Sequence, residues 1–164
     1  MVQGHMTDFV RTPAGEALSA LMLDLFRVNS LILAAGDRLV AGLGLTSARW
    51  QVLGAIVASE RPQPVAWLAR DLGANRQNIQ RIVNDLHAEG MVAFQTNPHH
   101  RRAQWVVLTS KGEQAFAQAM HMSGPWIGQL ADGLSPAEIE TVHRVLTVLR
   151  RKLEGAGEVS QQGA

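Results

Sequence analysis

Between Gly73 and Val92 the chain reads GANRQNIQRIVNDLHAEGMV, with apolar residues recurring three and four positions apart. Ile79, Ile82, Val83 and Leu86 therefore share one face of a helix, and Arg76, Gln77, Gln80, Arg81 and Asn84 take the other faces. Asn75 is placed to cap this helix by accepting from its first free amides, and Gly90 to end it in a left-handed conformation. Upstream, residues 15–42 carry a long helical stripe of Leu18, Leu21, Met22, Leu25, Val28, Ile32 and Leu39, broadened by Phe26, Leu31 and Leu33. A stripe that wide predicts more than one partner surface. Gly42 and Gly44 end it. Thr46 or Ser47 then caps a second helix, SARWQVLGAIVAS, which stops before Pro62. Arg61-Pro62-Gln63-Pro64 reads as a stiff turn. VAWLARDLG is a third, short helix that ends at Gly73 and leads into the fourth. Two short helices joined by a glycine-containing turn match a helix-turn-helix.

After Gly90 the period changes. Met91–Gln95 and Gln104–Leu108 are short runs rich in apolar, β-branched and aromatic residues, and they predict a hairpin whose tip holds His99, His100, Arg101 and Arg102. Thr109 or Ser110 caps the next helix, which starts near Lys111 and passes Met120; Gly124-Pro125 is expected to bend or interrupt it. Leu134-Ser135-Pro136-Ala137-Glu138 is a helix start with a Ser cap, a Pro in the first turn and a Glu three residues after the cap. Ile139, Val142, Leu146, Leu149 and Leu153 then form a seam sized for another helix. No internal repeat is evident.

Composition narrows the class. At 164 residues the chain is one domain or one two-part unit, and with 46% apolar residues it is expected to fold around a real core. No uninterrupted apolar run reaches the roughly 18 residues of a membrane span, and no secretory signal is visible at the start. The expected location is cytoplasmic, with no membrane partner. Gly4-His5-Met6 reads as a cloning remnant, so residues 1–6 are given no functional weight. Cysteine is absent, which excludes disulfide frameworks and thiol chemistry. From Arg49 to Lys111 there are eight basic residues against four acidic ones, so a basic middle lies between more acidic ends.

That basic middle contains the polar face of the fourth helix. Arg bonds guanine bidentately and Gln or Asn bonds adenine, so these residue types near a helix N-terminus suit major-groove readout of double-stranded DNA. The same face also suits an ordinary solvated helix surface. No phosphate-cradling glycine loop, nucleophile elbow or paired-carboxylate motif is present, so no enzymatic activity and no cofactor are expected. The six histidines include no helical pair at four-residue spacing, and no metal site is expected.

Helix, helix-turn-helix, charged hairpin and two closing helices is the order of a winged helix with helical arms. The segments LGLTSARWQVLGAI, VAWLARDLG, NIQRIVNDLHAEGMV, NPHHRRAQWVVLTSKG and LSPAEIETVHRVLTVLRRKL together resemble the MarR family of bacterial transcription regulators, over about residues 15 to 153. The most specific passage is Arg101-Arg102 followed by Val106, Leu108, Thr109 and Gly112. The resemblance implies a mainly α fold with a small β-hairpin wing, a winged helix-turn-helix flanked by N- and C-terminal dimerisation arms. Its expected divisions are a tail over 1–14, dimerisation regions at 15–44 and 111–154, the DNA-binding region at 45–110, and a disordered tail at 155–164.

Carried over residue by residue, the resemblance implies that Gln77, Asn78, Gln80 and Arg81 face the major groove, with Arg76 on a base or a phosphate. It places Arg101 and Arg102 in a wing, where a narrow minor groove attracts guanidinium. Ser47 and Arg49 are expected to contact phosphate. Where the family often has an acidic residue before the two arginines, this chain has His100, and the histidines are expected to add phosphate contacts that strengthen below about pH 6.5. A homodimer is implied, on a pseudo-palindromic operator with half-sites about 34–36 Å apart, and repression by occupying a promoter. A small lipophilic or aromatic effector is expected in a crevice lined by Phe26, Asn29, Trp50, Leu53, Phe116 and Met120, residues that equally suit plain core packing. The rival from another class is a helical interaction or small-molecule-binding scaffold that keeps the winged helix without binding DNA specifically.

Overall fold

A computed structural model of the chain describes residues 12–98, 100 and 102–161. Among them are six α-helices and one three-stranded antiparallel sheet. The chain divides into two compact units, residues 1–122 and 123–164.

The first unit opens with α1 (Pro13–Val40). Thr12 caps it, its Oγ1 accepting from the Gly15 N–H at 3.1 Å, and Pro13 takes the first helical position, where a missing N–H costs nothing. A short 3₁₀ turn, Ala41–Leu43, follows and is closed by Gly44 at φ 70°. α2 (Ser47–Ala58) is capped by Thr46, whose Oγ1 accepts from the Arg49 N–H. Gly36 marks where α1 meets the start of α2, because a Cβ there would collide with Ser47 Oγ. The span Pro13–Leu43 contains an 18-residue stretch of mean hydropathy 1.6 and is long and apolar enough to cross a membrane by length and composition. The sequence expectation that no stretch qualifies rested on uninterrupted runs. Asp24 and Arg27, paired at 3.4 Å, break the run and leave the average high.

α3 (Val65–Asp71) and α4 (Arg76–Ala88) form the helix-turn-helix. Gly73 at φ 60° makes the turn, and the Ala74 N–H returns to the Ala69 carbonyl at 2.9 Å. β2 (Val92–Gln95) and β3 (Trp105–Leu108) pair antiparallel with Val92 opposite Leu108 and Gln95 opposite Trp105, the predicted hairpin. Residues 61–64, expected only as a turn, also supply a strand. β1 (Gln63–Pro64) pairs with β3, so the sheet order is β1-β3-β2. A proline-containing strand is tolerated there because β1 is at an edge. Val52, Leu53, Leu68, Val83, Leu86, Val92 and Val106 meet in the core, each fully buried. The apolar face predicted for α4 is thus what fastens it to the rest of the unit.

α5 (Ser110–Ala131) begins in the first unit and ends in the second. It runs through Gly124-Pro125 without interruption, contrary to one form of the sequence expectation. Pro125 has no N–H to donate and its ring crowds the carbonyl four residues back, so the helix passes it with one intrahelical bond missing. In the second unit Gly133 (φ 78°) ends the turn after α5, and α6 (Pro136–Gln161) follows. Its start is the capping box read from the sequence: Ser135 Oγ accepts from the Glu138 N–H at 3.3 Å, and Glu138 Oε2 accepts from the Ser135 N–H at 2.8 Å. α6 extends through Gly155 to Gln161, within the 155–164 stretch expected to be a disordered tail. Gly155 and Gly157 each weaken a helix by about 1 kcal/mol relative to Ala without removing a backbone donor.

Candidate nucleic-acid interface

α4 separates its two kinds of residue cleanly. Ile79, Ile82, Val83 and Leu86 are buried, while Arg76, Gln77, Asn78, Arg81 and Asn84 are exposed and Gln80 is half-buried. Asn75 Oδ1 accepts from the Gln77 and Asn78 N–H groups at 2.8 and 3.4 Å, which fixes where the helix begins. The long side chains are held against one another. Arg81 Nη2 donates to Asn78 Oδ1 at 3.1 Å, and Gln80 Nε2 donates to Asn84 Oδ1 at 3.0 Å. The result is a surface of two guanidiniums and four amides, the donors and acceptors that base edges offer complements to.

The other end of α4 is gripped from two sides. Arg49, on α2, donates through Nη1 to Glu89 Oε1 at 2.7 Å and to the Gly44 carbonyl at 3.1 Å, with Nη2 3.9 Å from Asp85 Oδ2. From the start of α5, Lys111 Nζ donates to the Glu89 carbonyl and Thr109 Oγ1 to the Gly90 carbonyl, both at 2.7 Å. Gly112 lies so close to the Met91 carbonyl that no Cβ would fit. These groups satisfy carbonyls that a helix C-terminus leaves without partners.

Ser47 and Arg49, expected to contact phosphate, both have partners within the chain. Ser47 is buried; its N–H donates to Asp37 Oδ1 at 2.6 Å and its Oγ donates to the Leu33 carbonyl at 2.7 Å. Both donors are committed to α1. Arg49 has a side chain only 22% exposed and is spent on Glu89, Asp85 and Gly44. Sequence placed both residues near a helix start, and nothing local reveals partners ten and forty positions away.

In the wing, Arg102 and His100 are exposed, while Arg101 and His99 lie outside the described residues. A groove between α4 and the wing is lined by Arg76, Gln80, Asn84, Phe94, Arg102 and Gln104, so α4 and wing residues far apart in sequence share one surface. The shape of the loop depends on Asn97, which sequence reasoning passed over. Asn97 is buried, its Nδ2 donates to the Ala103 carbonyl at 3.0 Å, and its own carbonyl accepts from the His100 N–H at 3.2 Å. The signal was the Asn97-Pro98 pair, since an Asn before a turn commonly bonds to backbone a few residues on.

The six effector candidates differ in burial and in place. Leu53 is fully buried in the core, and Trp50 is half-buried against it. Phe26 and Asn29 are exposed on α1, Phe26 at 68%. Phe116 packs on Gly54 and lines a groove of about 520 Å³ with Ile56, Val57, Val107 and Glu113; Met120 is exposed further along α5. Helical spacing placed these residues on facing elements but not at one depth.

A MarR family model matches residues 43–103, the span from the end of the first helix through the wing tip. An uncharacterised protein of Mycobacterium tuberculosis is 32% identical over 139 residues, covering 82% of this chain and 96% of its own length. Transcriptional activatory protein BadR of Rhodopseudomonas palustris is 27% identical over 150 residues, covering 87% of this chain and 84% of its own length. Among solved structures, a MarR family transcription regulator superposes with TM-score 0.74 at 22% identity, covering 87% of this chain and 94% of that one. The transcriptional repressor CouR, solved on a 23-mer DNA duplex, gives TM-score 0.71 at 23% identity, covering 86% and 99%. The chain therefore belongs to the MarR family, with the winged-helix fold of its transcription regulators.

Proposed function

We propose that the chain is a sequence-specific DNA-binding transcription regulator that acts as a homodimer on a pseudo-palindromic operator and represses by occupying a promoter. The observation that carries this reading is the face of α4. Arg76, Gln77, Asn78 and Arg81 are exposed together, while the opposite face is fully consumed by the core. Arg102 extends the same basic surface from the wing. The bond from Arg81 to Asn78 joins a guanidinium to an amide on this face, a pairing suited to base edges.

The dimer is supported by apolar side chains left uncovered in the single chain. Leu23, Phe26 and Leu31 on α1 are each more than half exposed, and Ile139, Val142 and Leu153 on α6 are exposed as well. Exposed apolar surface on this scale marks an association face. A small lipophilic or aromatic effector belongs to the proposal, with the Phe116 groove as its candidate seat in place of the six-residue crevice. The test is selection from a pool of random duplexes at two salt concentrations. Enrichment of a pseudo-palindrome with steep salt dependence is expected, and equal binding of all sequences would overturn the reading.

A further inference from the structure

The recognition surface is at one end of α4 and the grip on the helix is at the other. α4 has thirteen residues, so its two ends are about 18 Å apart at 1.5 Å per residue. A tilt of about five degrees about the gripped end would displace the base-facing end by about 1.5 Å, enough to break a hydrogen bond whose working range is about 0.5 Å. What fixes the C-terminal end, together with the buried face from Ile79 to Leu86, therefore sets the aim of Arg76 to Arg81.

One side chain does this from the α1–α2 side. Arg49 joins three places: Glu89 just after α4, Asp85 one turn earlier, and the Gly44 carbonyl after α1. Its own helix is in turn tied to α1 by the two Ser47 bonds to Asp37 and Leu33. The rigid fork of a guanidinium suits such a junction, because its donors point in fixed directions. An isolated surface pair contributes little to stability, so the value of this one is geometric.

We propose that Arg49 is a positioning residue for α4. It touches no base; it transfers the placement of α1 and α2 onto the recognition helix and so sharpens the discrimination between operator and other DNA. The proposal rests on the DNA-binding reading above. The alternative role for Arg49 is a direct phosphate contact, and the two roles differ in measurable ways.

The experiment uses the full chain, a duplex enriched by selection, an unrelated duplex of equal length, and a salt titration. Arg49→Gln and Glu89→Ala are each expected to lower the ratio of operator to unrelated affinity by about three- to tenfold, with the salt slope unchanged. The double variant should be no worse than the poorer single one, because both remove the same junction. Arg49→Lys keeps the charge but loses the fork, so it should lower the ratio less than Arg49→Gln without restoring it, and this milder variant carries the test if Arg49→Gln fails to fold. A drop of about one in the salt slope with Arg49→Gln, alongside unaltered or tighter binding by Glu89→Ala, would overturn the proposal in favour of a phosphate contact. Unchanged ratios in both single variants would also overturn it while leaving the DNA-binding reading intact. A wild-type chain that enriches no duplex would defeat that reading itself.

Discussion

Arg81 donates to the Oδ1 of Asn78 one turn back along α4, at 3.1 Å. The bond holds a long, otherwise mobile side chain in one orientation before any ligand arrives. A guanidinium ordered in advance loses less side-chain freedom on meeting a base than a free one, which raises net affinity for the same contact.

Replacing Arg81 by Ala should therefore weaken operator binding by about 1–3 kcal/mol and relax preference at one base pair in each half-site. Binding titrations against a panel of single-base operator variants read both effects. Equal discrimination by wild type and variant would remove Arg81 from base readout.

Arg102 should behave differently. Arg102→Ala is expected to weaken binding to all duplexes alike and to reduce the salt slope by about one, as loss of a single phosphate contact does. A changed sequence preference with an unchanged slope would instead assign it to a base.

Asn75 bears on folding rather than on DNA. Its side chain accepts from two N–H groups at the start of α4, so Asn75→Ala should cost about 1 kcal/mol of stability. Denaturant unfolding measures this; a midpoint identical to wild type would mean that water caps the helix as well.

Gly112 carries a sharper steric demand. Gly112→Ala would press a methyl group into the Met91 carbonyl, which also accepts from the Thr109 N–H at 3.1 Å. A loss of about 1–3 kcal/mol is expected, the usual cost of forcing an atom into a packed site. Thermal unfolding within a degree of wild type would show that α5 shifts freely.

Glu138 supplies a pH signature. The Ser135 hydroxyl and then the Ser135 N–H hold its carboxyl below the usual carboxylate range. A carboxyl lowered in the folded state stabilises above its unfolded pKa, and that contribution disappears as pH falls through the folded value. In Ser135→Ala the larger of the two causes is removed, so the Glu138 carboxyl should titrate nearer its ordinary value. Carbon NMR of the carboxyl group follows it directly, and an unmoved titration would exclude the hydroxyl as the cause.

Much of this was legible in the sequence, and the reason is range. The α4 faces, the Asn75 cap, the hairpin and the Ser135–Glu138 box are all set by residues within a few positions of one another, where periodicity and capping rules act. What stayed hidden was tertiary. Ser47 and Arg49 read only as helix-start residues, and their partners Asp37, Leu33 and Glu89 lie ten to forty positions away. β1 is two residues long and exists only because β3 lies alongside, so no pattern of its own announced it. The six effector candidates lie on three helices at different depths, and depth depends on how helices pack.

The proline in β1 has a consequence beyond the wing. An edge strand offers its unpaired backbone to any passing chain, and sheets grow that way into aggregates. Here that edge has only Gln63 and Pro64, and Pro64 has no N–H to donate. A second copy approaching this side of the sheet finds too short and too poor a template to zip onto. The protein can thus be concentrated without its sheets joining along this edge.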